Sequence, residues 1–353
     1  MRVALVGCGN IADRYAQAIN AAPRLTLAGA TDLEPARAER LVQAYDGGRA
    51  FATLDELLAD PSIDTVVNLT VANAHVAVSR AALEAGKHVH SEKPLALSYA
   101  DAKELVELAD RQGVRLSAAP ATLLGEAQQT AWKLVRDGAL GRVRVAYAEA
   151  NWGLLESWHP DPRGLYEVGP LADVGVYPLM IITALFGPVR RVQAYATTLV
   201  ADRVQKDGRP FRIDAPDWCV VTVDLADGVV ARLTASFYVP PSKQRGLEFH
   251  GDDGSLYMPT WGEFDSRLEL QPRGGDYEVI APLREPYPGI DWSRALTDLA
   301  EAIDEGRPHR STGEHAAHVV EVLDAARLSV ERAGSAVDVQ SDFRRPEPFE
   351  WAR

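Results

Sequence analysis

The segment Arg2-Val3-Ala4-Leu5-Val6-Gly7-Cys8-Gly9-Asn10-Ile11-Ala12 decides how the first half of this chain is read. The apolar run Val3–Val6 has the character of a strand buried on both faces, and it passes directly into a G-x-G-x-x-A turn that opens a helical pattern. Gly7 permits the tight bend, Gly9 lets the backbone approach a pyrophosphate, and Ala12 lets helix and strand close up. With Asn10 and Ile11 between them, these residues form a cofactor-binding turn whose free helix N–H groups face an anion. About 20 residues on, the second strand ends in Thr31-Asp32, where a carboxylate can accept both ribose hydroxyls and repel a 2′-phosphate. NAD is therefore the predicted cofactor. NADP stays possible, because Arg37 and Arg40 could hold a 2′-phosphate while Asp32 merely caps the helix that carries them.

Outward from this turn, the first 120 residues alternate short apolar runs with helix-period segments. Arg2–Val6, Leu25–Thr31, Thr65–Thr70, His88–Glu92 and Val114–Ser117 read as strands, and Ala74–Ala85 and Tyr99–Arg111 as helices. The second helix has Ser98 as N-cap and Gly113 as its stop. Right-handed crossovers between such strands give a doubly wound parallel sheet, an α/β Rossmann domain over residues 1–120. After Pro120 comes one helix, Glu126–Arg136, and then longer strand-like runs at Arg142–Asn151, Val189–Leu199, Cys219–Leu225 and Val229–Tyr238. The last two are joined by the hairpin signal Asp227-Gly228, so the sheet they form is antiparallel or mixed. Helices at Trp292–Glu305 and Glu314–Ala333 complete a second, α+β domain over residues 121–353.

Composition narrows the function classes. A formal net charge of −13, with no basic cluster longer than Arg344-Arg345, repels phosphate backbones and anionic membrane surfaces, so neither nucleic acid nor membrane is an expected partner. Cys8 and Cys219 are the two cysteines, and neither stands in a spacing that would hold zinc; no metal site is expected. Reduced cysteines, an N-terminus that enters a strand at once, and the lack of a long uncharged stretch predict a cytoplasmic protein.

Three further segments carry a resemblance. Thr70-Val71-Ala72-Asn73-Ala74-His75, Ser91-Glu92-Lys93-Pro94 and Gly169-Pro170-Leu171-Ala172-Asp173-Val174-Gly175-Val176-Tyr177, taken with the glycine turn, resemble the Gfo/Idh/MocA family of oxidoreductases over nearly the whole chain. Tyr177, where many members have histidine, is similar to the branch of glucose-fructose oxidoreductase and of dihydrodiol and xylose dehydrogenases. The resemblance implies that Thr70, Asn73 and His75 lie along the nicotinamide ribose, that Glu92 belongs with them, and that Lys93, Asp173 and Tyr177 face the substrate. It also implies a large, open, mostly antiparallel sheet in the second domain, used for homodimer or homotetramer contacts. The usual glycine run before the aspartate is reduced here to Val168-Gly169-Pro170.

The residue types suit the chemistry. Oxidising an alcohol needs a base for the hydroxyl proton while hydride leaves carbon for a nicotinamide. A tyrosine titrates near 10 and needs a neighbouring ammonium to act at neutral pH, which Lys93 would supply; alternatively a buried Lys93 takes the proton and Tyr177 orients the hydroxyl. Asp173 and Tyr177 stand four apart, a spacing that shares one face of a helix, although Pro178 interrupts it. The segment from Trp152 to Arg163 offers aromatic faces for C–H patches, with Trp152 and His159 as candidate substrate contacts, or it is simply a proline-fixed connector packing its own tryptophans. The expected function is NAD(P)-dependent hydride transfer at a hydroxyl or carbonyl carbon of a sugar, cyclitol or related polyol. Two alternatives are a glycoside-processing enzyme that cycles a tightly bound NAD, and a non-catalytic nucleotide-binding regulator.

Overall fold

In the computed structural model, which describes residues 1–353, the N-terminal apolar run is strand β1 (Arg2–Val6) of a six-stranded sheet. β2 (Thr26–Thr31), β3 (Arg49–Ala50), β4 (Thr65–Asn68), β5 (His88–Ser91) and β6 (Leu116–Ala118) join it in the order β3-β2-β1-β4-β5-β6, every pair parallel. Helices α1 (Ala12–Ala21), α2 (Pro35–Ala44), α3 (Leu54–Ala59), α4 (His75–Glu84) and α5 (Tyr99–Gln112) link the strands. Alternate residues of β1 feed separate cores: Ala4 and Val6 pack with Val66, Val89 and Leu105, whereas Val3 and Leu5 pack with Tyr15, Ile19 and Leu41. The Ser98 cap accepts the Asp101 N–H at 3.2 Å, and Gly113 ends α5 in the left-handed conformation. Strand order reverses between β1 and β4, which makes the carboxyl ends of these two strands the place for a ligand.

The chain divides into two units, Met1–Ala121 with Asp291–Val320, and Thr122–Ile290 with Glu321–Arg353. The pattern along the sequence placed everything after residue 120 in the second domain; the structure returns Asp291–Val320 to the first. The reason is packing. Leu296 and Ala300 of the helix Arg294–Asp304 enter the core that contains Val3, Leu5 and Tyr15. An amphipathic pattern announces an apolar face but not which sheet it covers.

Among the buried imidazoles of this first unit, three are shifted strongly by their burial. Burial pushes His90 down to about 3, His309 to about 4 and His315 to about 3, with His309 adding to the effect at His90 and His318 at His315. Unfolded histidine titrates near 6.5, so as pH falls below that value the unfolded chain takes up protons that the folded one refuses. Each group then removes up to about 1.4 kcal/mol of stability per pH unit. The melting temperature is expected to fall steadily from about pH 6.5 to about pH 4.5, and His90→Asn to flatten the slope. A melting temperature constant over that window in differential scanning calorimetry would contradict neutral buried imidazoles.

The second unit is built on a nine-stranded sheet. Its helices α6 (Glu126–Arg136), α7 (Arg163–Val168) and α8 (Val176–Phe186) accompany strands β7 (Val143–Asn151), β8 (Val189–Thr197), β11 (Trp218–Leu225), β12 (Val230–Ser236), β13 (Gly246–Gly251), β14 (Gly254–Met258), β15 (Leu268–Pro272), β16 (Glu278–Ile280) and β17 (Val337–Asp338). The order is β16-β15-β14-β13-β7-β12-β11-β8-β17, antiparallel except for the parallel pair β7 and β12, and β9 (Asp202–Val204) and β10 (Pro210–Arg212) form a separate ribbon. The hairpin signal Asp227-Gly228 does join β11 to β12. One face is apolar and buried, with Ala146, Ala148 and Ala150 of β7 beside Leu233 and Ala235 of β12. The register puts Tyr147, Tyr195, Val230 and Val279 on the opposite face, where all four are exposed. No helix is long and apolar enough to cross a membrane.

Candidate active site

The glycine turn is shaped by two different demands. Gly7 has φ +92°, and a Cβ there would lie 2.9 Å from the Leu69 carbonyl carbon, so the protein itself requires glycine. A Cβ on Gly9 would meet nothing within 4 Å. The fold does not need Gly9 to be glycine, whereas the close approach of a phosphate would. The Cys8 N–H donates to Asp32 Oδ2 at 2.7 Å and the Glu34 N–H to Asp32 Oδ1 at 2.8 Å, which stitches the carboxylate at the end of β2 to the turn. α1 starts at Ala12 with Ile11, whose side chain makes no hydrogen bond, as N-cap, and Asn10 is exposed beside it. These features fit a dinucleotide: open space at Gly9, a helix start facing it and a fixed carboxylate. Arg37 pairs with Glu34 at 2.7 Å, and Arg40 binds Asp13 through both nitrogens at 3.0 and 3.3 Å, so both arginines that could hold a 2′-phosphate already have carboxylate partners. The Cys8 thiol, pushed up to about 12 by burial and then by Asp32, is no nucleophile.

At the end of β4, buried Asn68 organises the next loop. Its Nδ2 donates to the His75 carbonyl at 2.9 Å and to Ser79 Oγ at 3.0 Å, while its Oδ1 accepts the Thr70 hydroxyl at 2.6 Å and the Thr70 N–H at 3.2 Å. Asn73 projects from the exposed turn Ala72–Ala74. His75, expected along the ribose, is only 1% exposed and therefore presents no surface to a cofactor. Its Nδ1 lies 2.7 Å from the Pro94 carbonyl oxygen and its Nε2 3.0 Å from that of Thr70, so it ties the loop after β4 to the segment that carries Lys93. Glu92 is also turned inward, at 5% exposure. Its Oε1 accepts the Tyr15 hydroxyl at 2.8 Å and its Oε2 the Lys93 N–H at 3.2 Å. Tyr15 in turn lies 3.3 Å from His90 Nε2, and His90 Nδ1 is 2.9 Å from Ser117 Oγ. His75 and Glu92 thus support the residues beside them, and Lys93 above them is half-buried. Asn68 and Tyr15 were absent from the expected set, since a buried polar residue on an apolar strand or helix carries no motif.

In the second unit, Leu171–Gly175 forms a π-helical turn that runs into α8 at Val176, so Asp173 and Tyr177 stand on either side of a junction between two helix types. The one-face reading of a regular α-helix is corrected accordingly. Pro178 has no N–H and would clash with the Val174 carbonyl in an uninterrupted α-helix; here it falls in the first turn after the wider one. At Gly175 the turn packs closely on β12: a Cβ would lie 2.8 Å from Leu171 Cδ1 and 3.4 Å from Leu233 Cδ2, so a larger residue would displace the Leu171 side chain. Asp173 is buried, its N–H donating to the Gly169 carbonyl at 3.0 Å, and Tyr177 is half-buried. The Tyr177 ring lies 4.8 Å from that of Trp261, which lies 6.2 Å from that of Trp152. Trp261, remote in sequence from both, is a residue that spacing did not reveal.

The segment Trp152–Arg163 is an anchored connector whose tryptophan rings stay exposed. From below it is pinned: the buried Arg203 guanidinium donates to Glu156 Oε1 at 2.9 Å and to the Tyr166 hydroxyl at 2.8 Å, and pairs with buried Asp217. Above, Trp152 is 44% and Trp158 49% exposed. His159 Nδ1 accepts the Asp161 N–H at 3.1 Å, and Asp161 is gripped by Arg163 through two bonds of 2.8 Å, a local turn that holds the imidazole edge-on to Trp158.

Comparison with known proteins follows this division. The model of an oxidoreductase family with NAD-binding Rossmann fold matches residues 1–119, and the GFO/IDH/MocA C-terminal domain matches residues 128–257. dTDP-3,4-didehydro-2,6-dideoxy-alpha-D-glucose 3-reductase of Streptomyces violaceoruber is 29% identical over 345 residues, 93% of this chain and 94% of that protein. Trans-1,2-dihydrobenzene-1,2-diol dehydrogenase of Macaca fuscata fuscata is 29% identical over 289 residues, 80% of each. The solved structure of a levoglucosan dehydrogenase in complex with NADH and L-sorbose shares the fold, with a TM-score of 0.84 at 20% identity over 97% of this chain and 99% of that one. With both of its units matched and the glycine turn, Lys93, Asp173 and Tyr177 in place, the chain belongs to the Gfo/Idh/MocA family of NAD-binding oxidoreductases.

Proposed function

We propose that this enzyme transfers hydride between NAD and a hydroxyl-bearing carbon of a sugar, cyclitol or related polyol. The observation that carries the reading is the retention of Lys93, Asp173 and Tyr177 on a chain whose glycine turn fits a dinucleotide. The N–H groups of Gly9 and Ile11 would hold the pyrophosphate, those of Gly7, Cys8 and Ala12 being given to the Thr31 carbonyl, Asp32 and the Gly9 carbonyl; Asp32 would hold the adenosine ribose, and Thr70 and Asn73 the nicotinamide ribose. When bound, NAD supplies the hydride acceptor, and NADH the donor in the reverse direction.

The chain's own groups manage the rest. Tyr177 is the base for the hydroxyl proton, and because a free phenol near pKa 10 is a poor base at neutral pH, the role calls for an ammonium, which Lys93 would supply. Asp173 orients the hydroxyl, and Trp152 and His159 contact the remainder of the substrate. The relatives named above act, by their names, on a deoxysugar and on a cyclic diol, which supports a carbohydrate-like substrate. The exposed apolar residues Tyr147, Tyr195, Val230 and Val279, spread over the open face of the sheet, support assembly as a homodimer or homotetramer. Two buried free thiols, Cys8 and Cys219, support a cytoplasmic enzyme.

The test is nicotinamide reduction with NAD or NADP across a panel of aldoses, cyclitols and polyols. Turnover with NAD preferred over NADP is expected. Silence across the panel, with cofactor released only on denaturation, would replace this reading by internal redox cycling on a glycoside.

A further inference from the structure

Three aromatic rings from three separate segments come together around Trp261 in the second unit: Tyr177 at the start of α8, Trp261 after β14, and Trp152 after β7. Centroid separations are 4.8 Å from Tyr177 to Trp261, at an interplanar angle of 40°, and 6.2 Å from Trp261 to Trp152, at 30°. The central ring is held firmly. Its Nε1–H donates to the Glu149 carbonyl of β7 at 3.1 Å. Fully buried Gln128 donates from Nε2 to the carbonyls of Trp261 at 3.2 Å and Glu263 at 2.9 Å. Buried Phe264 anchors the same loop so tightly against Gly125 that a Cβ there would lie 2.5 Å from its ring. The outer ring, Trp152, remains 44% exposed.

A fixed wall of indoles beside one phenol hydroxyl has a definite preference. It suits a ligand with a flat patch of C–H groups on one side and hydroxyls around the edge, because aromatic faces attract C–H and gain nothing from hydroxyls. A six-membered sugar or cyclitol ring has that shape, with axial hydrogens gathered on one face. An open-chain polyol has no lasting face, and ordering one against the wall forfeits rotamer freedom. We propose that Trp261 is the residue that sets the Tyr177 ring and, with Trp152, forms the wall on which the C–H face of a cyclic substrate rests, so that the enzyme selects ring-form substrates over open-chain polyols. This rests on the reading that Tyr177 acts on the substrate hydroxyl.

The test compares locked rings (methyl glycosides and cyclitols) with open-chain hexitols, on wild-type protein, Trp261→Phe, Trp261→Ala and Trp152→Ala. Equilibrium binding to the NADH complex by calorimetry is measured beside steady-state kinetics. Trp261→Ala is expected to raise KM and Kd for the ring ligands about 10-fold, the size of a lost aromatic contact with its buried area, with a much smaller change for the hexitols. Trp261→Phe, which preserves loop packing, is expected to fall between. Equal losses for rings and chains, or none, would reduce Trp261 to a structural support and overturn the proposal, as would wild-type protein that binds no ring ligand. Ring binding that depends on Trp261 without any turnover would leave the wall standing and remove the reaction reading instead.

Discussion

Tyr177→Phe and Lys93→Met are each expected to lower kcat by about 10²–10⁴-fold, the range of positioned acid–base catalysis, while NAD binding stays within about two-fold of wild type. The expectation follows from what each change removes. Phenylalanine keeps the ring against Trp261 but has no oxygen to receive a proton. Methionine keeps the aliphatic length of Lys93 and removes the ammonium that a phenol would need to act as a base at neutral pH. Because both act on one proton, the double variant should be little slower than the worse single one. Stopped-flow and steady-state rates, with NADH fluorescence for cofactor affinity, decide the matter. A double variant that keeps its activity would remove both residues from the mechanism, and a Lys93 variant much slower than the Tyr177 variant would make Lys93 the base.

The paired substitutions Gly7→Ala and Gly9→Ala should separate folding from cofactor binding. At Gly7 an alanine meets both a positive φ and the backbone of Leu69 at 2.9 Å, and the fold should lose about 2–5 kcal/mol. At Gly9 an alanine meets no atom within 4 Å, so stability should change by less than about 0.5 kcal/mol. NAD affinity, however, should fall by about 10-fold or more, because the methyl occupies the approach of the pyrophosphate. Chemical denaturation and cofactor titration on the two proteins separate the outcomes. Full NAD affinity in Gly9→Ala would contradict the assigned seat of the phosphate.

Much of this was legible in the chain, for local reasons. The strand Val3–Val6, the glycine turn and Asp32 lie within one βαβ unit, and their spacing alone placed the cofactor half. What escaped the reading was set by distance in sequence. The return of Asp291–Val320 to the first unit depends on where an apolar helix face finds its sheet. Trp261 meets Tyr177 only because the loop after β14 reaches the start of α8 in space. His75 and Glu92 stand in the expected segments, yet each points inward: one bridges the Thr70 and Pro94 carbonyls and the other receives Tyr15. A motif marks a residue as constrained without stating whether it touches the ligand or holds a neighbour that does. The junction at Gly175 is similar, since a π turn has no sequence period of its own.

The most direct test of the central claim is to follow a deuterium label from the carbinol carbon of a ring-form substrate. The account predicts that the label appears on the nicotinamide of released cofactor, at a rate slowed by the isotope and lowered about 10²–10⁴-fold in Tyr177→Phe. Label that stays on substrate or washes into solvent while the cofactor remains bound and unchanged would contradict a net hydride-transferring dehydrogenase.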